Sequence, residues 1–569
     1  MKDGCQVFPC NDPLFDRWQW GETVGLTCGS HIFHLLSRVQ KTPAITARNF
    51  FSIRDLYALA FGLFLGLCLW KFGNPVILDS KIPTPVSPAD FLNDPWPTRW
   101  ANWIFLPLAS LGALLIFQGK SSPSPRPNGE RDGEGFHDPR KGAMSATEPE
   151  RSAEHRLGQS GCSSRHEPRR CSALRFTGRG FQFHSRWLWL LPLLWFGWQL
   201  FSATKTVDAN LTAMTLWQFF GCIACYFLGA LVLGSDQMLR WLMIGVLAAF
   251  TFCLVRAVDQ RLFEFPQNRQ TLVEGERAGW TNFPPETFLE MKRENVIIST
   301  NGEDVANPAI LAKFAKGRVN GTLVYPNALA GAVLLLFPVS LVLAFNSTKR
   351  LRPVIRAIVI ALTLFLGGAG FFWTGSKLGW LIAIALGGAC LFRLKWPARF
   401  KWAALTVVLL VGLGIFAVRF HNYFAAGATS ASARLDYWRA AAQTSVGHPL
   451  LGTGPGTFQR PYAQLKSAAA EMARLTHNDY LEQFSDSGIP GGIFYAAWIC
   501  LALVIIGRRV WKFGSPMAFA IFAGLLGWFV QGIGEFSLYV PALAWTAFTL
   551  LGCLLGLPGN QIDKSAAAN

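Results

Sequence analysis

Charge is scarce in this sequence. Asp, Glu, Lys and Arg together make up 15% of 569 residues, where a soluble domain carries about 25%, so much of the surface cannot be meant for water. Paired cysteine is missing as well. The 12 cysteines are scattered without the even, conserved-looking spacing of a disulfide framework or the ligand spacing of a zinc site. One C-x-x-C, Cys222 and Cys225, lies inside an apolar run, where small residues serve helix packing rather than redox chemistry. There is no Walker A sequence and no glycine fingerprint between a strand and a helix, which excludes the common nucleotide-binding designs. No internal repeat is visible. The first fifty residues lack the charged start, short apolar core and small-residue cleavage site of a signal peptide, so the first apolar run is expected to act as the targeting signal.

Long hydrophobic runs are what the chain has instead. Apolar residues reach 51%, with 46 Phe and 22 Trp, the composition of lipid-facing helices and interfacial aromatic belts. Crossing the hydrocarbon takes about 20 residues. By that measure the chain has runs at 55–72, 100–118, 187–203, 212–234, 241–258, 326–346, 354–373, 377–394, 402–419, 488–507, 515–533 and 540–557. The expected fold is an all-α, polytopic integral membrane protein of about 12 transmembrane helices. The net charge of +18 follows from topology. Nucleic-acid binding would need a soluble basic domain, whereas Lys and Arg here sit mainly between apolar runs.

Those basic residues orient the chain. Lys349, Arg350, Arg352 and Arg356, then Arg393, Lys395, Arg399 and Lys401, then Arg508, Arg509 and Lys512 fall in loops on one side, the cytoplasmic one by the positive-inside rule. The resulting organisation is a cytoplasmic tail at 1–54, two membrane helices in 55–118, a basic cytoplasmic loop at 119–186, membrane helices in 187–258, an external loop at 259–325, membrane helices in 326–419, a large external loop at 420–487, membrane helices in 488–557 and a cytoplasmic tail at 558–569. The 119–186 loop, rich in Ser, Pro, Gly, Arg and Glu, buries too little apolar area to offset chain entropy and reads as disordered.

The 420–487 loop is long enough to be functional. Ser432 is placed to cap a helix running through Trp438 to about Thr444. His448 to Phe458 holds Gly452, Gly454 and Gly456 around Pro455, a tight turn whose backbone N–H groups suit an anion. A second helix is expected from Lys466 to Ser485. On it His477, Leu481 and Phe484 share a face toward the membrane domain, while Asp479, Glu482 and Asp486 fall on another, read as solvated. On the residues alone, His477 is a packing residue as readily as a catalyst.

The run Arg434-Leu435-Asp436-Tyr437-Trp438, then HPLLGTGPGTF, then His477-Asn478-Asp479-Tyr480-Leu481-Glu482 and GIPGG resembles the signature of the O-antigen ligase and O-antigen polymerase superfamily. Upstream, Arg318-Val319-Asn320-Gly321-Thr322 with Tyr325-Pro326-Asn327 resembles that family's lead into a membrane helix, and Thr374-Gly375-Ser376-Lys377 stands where relatives often carry Ser-Arg. The resemblance covers roughly residues 310–557. It implies a GT-C-like, metal-independent, inverting glycosyltransferase without a cofactor, working on the periplasmic face of a bacterial inner membrane. The implied donor is a glycan on undecaprenyl pyrophosphate, and the implied acceptor is a hydroxyl of another glycan or a lipid. Other polysaccharide-assembly proteins are the implied partners.

The residues fit that chemistry. Arg434 and Arg318 offer planar forks for a leaving pyrophosphate. Lys377 offers a point charge in place of a fork. His477 is placed to take the acceptor's proton, and Asn478 to contact pyrophosphate or glycan. Asn327 reads as the start of a membrane helix and Trp438 as interfacial packing. Glu535 and Tyr539, near the external end of a span, are candidates to line the site, with no spacing argument for either. A multi-pass transporter of lipid-linked saccharides is the competing reading, weakened by the shortage of midplane charge and of repeats.

Overall fold

The computed structural model describes residues 52–118, 179–425, 429–468 and 470–557. The N-terminal tail to residue 51, most of the 119–186 loop and the C-terminal tail lie outside the described residues. Each of the 12 apolar runs is helical. In order, the helices are α1 (Ile53–Lys71), α2 (Pro88–Asn93), α3 (Thr98–Gln118), α4 (Arg179–Ser202), α5 (Ala209–Leu231), α6 (Asp236–Asp259), α7 (Phe265–Arg277), α8 (Pro285–Arg293), α9 (Pro308–Lys316), α10 (Pro326–Ser347), α11 (Pro353–Thr374) and α12 (Lys377–Leu391). There follow α13 (Ala398–Ala425), α14 (Thr429–Gly447), α15 (Gln459–Leu465), α16 (Asp479–Phe513), α17 (Pro516–Gln531) and α18 (Pro541–Gly556).

Eight of the described helical segments are long and apolar enough to cross a bilayer. One joins α6 to α7 through a π-helical turn, Gln260–Glu264, into a segment of 42 residues. The helices α12, α17 and α18 have 15, 16 and 16 residues, short of the usual span. A multi-pass helical membrane protein therefore stands. The one departure from all-α among the described residues is an antiparallel hairpin of β1 (Ile297–Thr300) and β2 (Glu303–Ala306).

Apolar helices in lipid gain little from hydrophobic association, so they pair where small residues let backbones approach. Gly62 and Gly66 of α1 sit against Gly245 of α6, where a Cβ on Gly62 would stand 2.2 Å from the Leu242 carbonyl oxygen. A Cβ on Gly552 of α18 would meet the Tyr226 carbonyl oxygen of α5 at 2.0 Å, and one on Gly524 of α17 would meet that of Leu335 in α10 at 2.1 Å. Cys222 and Cys225 are buried and unpaired, as packing residues should be. Outside this core, α11 and α13 turn large aliphatic residues outward, among them Ile358, Leu362, Leu410 and Val418, a surface suited to lipid.

The basic loops gather at one end. There the Arg393 guanidinium donates to the carbonyls of Val510 and Gly514, and Arg509 donates to those of Leu554 and Leu557. These arginines satisfy the last carbonyls of α16 and α18, where the helix dipole is negative.

Candidate functional site

At the opposite end α10, α12 and α16 all begin. Each contributes a polar side chain from its first turn or the residues just before it, and long segments between helices close over them.

The centre is Glu535, which follows α17 and is 1% exposed. Its Oε1 accepts hydrogen bonds from Arg434 Nη2 at 2.6 Å and Asn327 Nδ2 at 2.7 Å. Asn327 is oriented in turn by Arg318, whose Nη2 donates to Asn327 Oδ1 at 2.9 Å while its Nε donates to the Thr374 carbonyl at 2.7 Å. With Oδ1 occupied by a cation, the Asn327 amide can only turn its nitrogen toward Glu535. Glu535 Oε2 lies 3.6 Å from His477 Nδ1, ion-pair range if the ring is protonated. Burial by itself would raise the Glu535 carboxyl pKa. The Arg434 charge, with His477 and Arg318, outweighs burial and holds it below the ordinary carboxylate value.

His477 is not on a helix. It has φ +53°, a left-handed conformation uncommon for a residue with a Cβ, and Asn478 after it caps α16 by accepting from the N–H groups of Tyr480 and Leu481. The expected helix from Lys466 to Ser485 is thereby corrected. The chain forms α15, runs without helix from Lys466 to Asn478 apart from the undescribed residue 469, and starts α16 at Asp479. The imidazole is clasped by Phe536, with ring centroids 4.6 Å apart, and by Tyr437 at 6.0 Å. Phe536 stacks on Tyr325 at 4.7 Å. Burial, with the negative charge of Glu535 and Asp479 nearby, raises the Tyr325 phenol pKa well above its usual value, keeping it neutral.

Lys377, the first residue of α12, lies in the field of Arg318, Arg434 and Arg419. Its Nζ sits 3.8 Å from the centroid of the Tyr423 ring, a cation–π contact. Gly375 turns the chain from α11 into α12 with φ +60°. A Cβ there would stand 3.2 Å from Arg318 Nε, so the glycine serves both the turn and the arginine.

The solvated face expected for Asp479, Glu482 and Asp486 is also corrected, since all three are buried. Each receives backbone N–H groups from another segment. Asp479 accepts from Leu538, Glu482 Oε2 accepts from Thr476 at 3.0 Å, and Asp486 Oδ2 accepts from Gly456 at 2.7 Å. Gly454 N donates to the Asp486 carbonyl. The glycine turn at 452–456 therefore directs these N–H groups onto α16 rather than onto an external anion.

The structure brings together Arg318, Lys377, Arg434 and His477, residues far apart in the chain. It adds Asn327, and it sets Glu535, a candidate to line the site without a spacing argument, at their centre. From the sequence Asn327 reads only as the start of a helix, a role it has as well, at the second position of α10. A signal for Glu535 was present, because it is the sole acidic residue between Asp486 and Asp563. A lone carboxylate in an apolar stretch marks a functional position. Asn478 Oδ1 is occupied by the cap, which leaves its amide nitrogen to offer a ligand.

Residues 362–496 match the family model described as O-antigen ligase. No curated protein matches the chain. The matched segment contains Lys377, Arg434, His477 and Asn478, whereas Arg318, Asn327 and Glu535 lie outside it. The match supports the O-antigen ligase and polymerase superfamily and a membrane-bound, ligase-type function for a chain of apolar helices.

Proposed function

We propose that the protein is a GT-C-like glycosyltransferase that moves a glycan from undecaprenyl pyrophosphate to an acceptor hydroxyl, at the periplasmic face of a bacterial inner membrane. The observation that carries this reading is the convergence of Arg318, Arg434 and Lys377 on a single buried carboxylate beside His477. Three cations outnumber Glu535, and the Asp479 carboxylate is turned onto the Leu538 N–H. The excess positive charge, with three helix N-termini, suits a pyrophosphate.

In this scheme the acceptor oxygen attacks the anomeric carbon from the face opposite the carrier. The C1–O bond to pyrophosphate breaks, and its electron pair leaves on the pyrophosphate, where the fixed cations stabilise the developing charge more than they stabilise the ground state. The acceptor proton passes to His477. Nδ1 faces Glu535, so Nε2 is the nitrogen for the hydroxyl, and Glu535 stabilises the imidazolium that forms. The stereochemical outcome is inversion. Asn478 offers its amide to the glycan, and no step calls on a metal.

The test uses protein in nanodiscs with undecaprenyl-pyrophosphate-linked oligosaccharide, candidate acceptors and a chelator, following glycan length and carrier release. Loss of release in well-folded His477→Ala and Arg434→Ala supports the reading, and a ladder of products would mark a polymerase rather than a ligase. Wild-type rates in both variants would overturn the site. Solute movement across liposomes without carrier release would establish a transporter instead.

A further inference from the structure

The chain from Gln260 to Gly317, just before Arg318, is not used by the chemistry above. It holds a pocket of about 670 Å³ between α7, α8 and the β1–β2 hairpin, within the size range of small-ligand sites. Trp280 forms the floor, with its indole N–H donating to the Asp304 carbonyl at 2.8 Å. Phe288 stands on one wall, its ring centroid 6.4 Å from that of Trp280. Glu276, Arg277 and Glu303 line the rest. Glu276 Oε2 accepts from Ala306 N at 3.3 Å, while Asp304 pairs with Lys292 at 2.7 Å and takes the Ser299 hydroxyl at 2.6 Å.

Aromatic carbon beside hydrogen-bond acceptors suits a ligand with one apolar C–H face and many hydroxyls, which is a saccharide. A metal is a poor occupant, because no group of three His, Cys, Asp or Glu side chains is close enough to hold one among the described residues. The carboxylates of Glu276 and Glu303 against the one guanidinium of Arg277 disfavour an acidic ligand.

The pocket also stands in a suitable place. The segment from Asp236 to Arg277 has 42 residues, about 60 Å of helix at 1.5 Å per residue, or roughly twice the hydrocarbon thickness. Its start is at the basic end, which sets the pocket past the hydrocarbon on the side where Arg318 and Glu535 lie. From the pocket, β2 leads through α9 directly into Arg318.

We propose that the Trp280 pocket is a subsite for neutral or amino-sugar residues of the glycan, several sugars away from the reacting one. The proposal rests on the transferase reading, and its test separates the two. Binding of a carrier-free neutral oligosaccharide of several repeat units, and of a uronic-acid-rich one, would be measured by titration calorimetry on protein in nanodiscs. The neutral probe is expected to bind and the acidic one not. Phe288→Ala, which removes an apolar wall, and Glu303→Gln, which weakens one acceptor, should each lower binding about fivefold, while Arg434→Ala leaves it intact. In transfer assays the same two variants should raise KM about fivefold for a donor of several repeats and leave a single-repeat donor unchanged. Binding of neither probe, equal effects on both donors, or loss of binding in Arg434→Ala would overturn the proposal. Binding of the neutral probe by a protein that releases no carrier would sustain the subsite and remove the transferase.

Discussion

Arginine plays different parts at the two ends of this bundle. At the basic end Arg393 and Arg509 donate to the last carbonyls of helices, where the helix dipole is negative. At the other end Arg434 binds the buried Glu535 directly, while Arg318 divides its guanidinium between the last carbonyl of α11, at Thr374, and Asn327 in the first turn of α10, which itself bonds Glu535. The first arrangement relieves unsatisfied polar groups. The second concentrates positive charge against a single carboxylate, which is unfavourable unless an anionic ligand shares the site.

The sharpest way to break this contrast is to remove one arginine from each end. Arg434→Ala should lower transfer about 10²–10³-fold and leave Glu535 buried with a lost partner, destabilising the protein by roughly 3 kcal/mol. Carrier release and thermal unfolding in detergent would read both effects. Glu535→Gln keeps the shape but not the charge. It should lower kcat about 10-fold to 100-fold with little change in KM, and move the acid limb of the pH–rate profile, whereas a purely structural role would leave that limb where it is.

Lys377→Ala should raise KM for the lipid-linked donor about tenfold, while Lys377→Arg should stay within about threefold of wild type, since a guanidinium also stacks on Tyr423. The acid stability of the site end should differ as well. The Glu535 carboxyl is depressed by its partners, so its stabilising contribution is fully present above the unfolded value of about 4.3 and is lost as pH falls through the folded value. Unfolding midpoints of wild type and Glu535→Gln should therefore draw together as pH falls below the unfolded value of about 4.3. The smallest effect is at the other end. Arg509→Ala should cost about 1 kcal/mol of stability and leave transfer unchanged, and an equal loss of transfer there would end the distinction between the two ends.

The helices were legible because their signal is local. A run such as Pro326–Ser347 announces itself by length and apolarity alone, and the arginines of the basic end follow from the same pattern. The start of α16 was not legible, because the periodicity around His477 fits a helix whose true beginning is set by the Asn478 cap and a left-handed residue before it. Asp479, Glu482 and Asp486 look like a wet face for the same reason. Their partners, at Leu538, Thr476 and Gly456, belong to other segments, so periodicity carries no trace of them.

By itself the sequence determined a helical membrane protein, the end that carries its basic loops, and four of the charged or ionisable side chains that meet at the other. The tertiary structure alone decided that these four gather around Glu535 with Asn327 between them. That outcome depends on glycine-mediated approach of α10 to α17 and of α1 to α6, which sets where the ends of distant helices lie. Hydrophobic length is a property of twenty neighbouring residues, whereas the meeting of residues 318, 327, 434, 477 and 535 is a property of how whole helices pack.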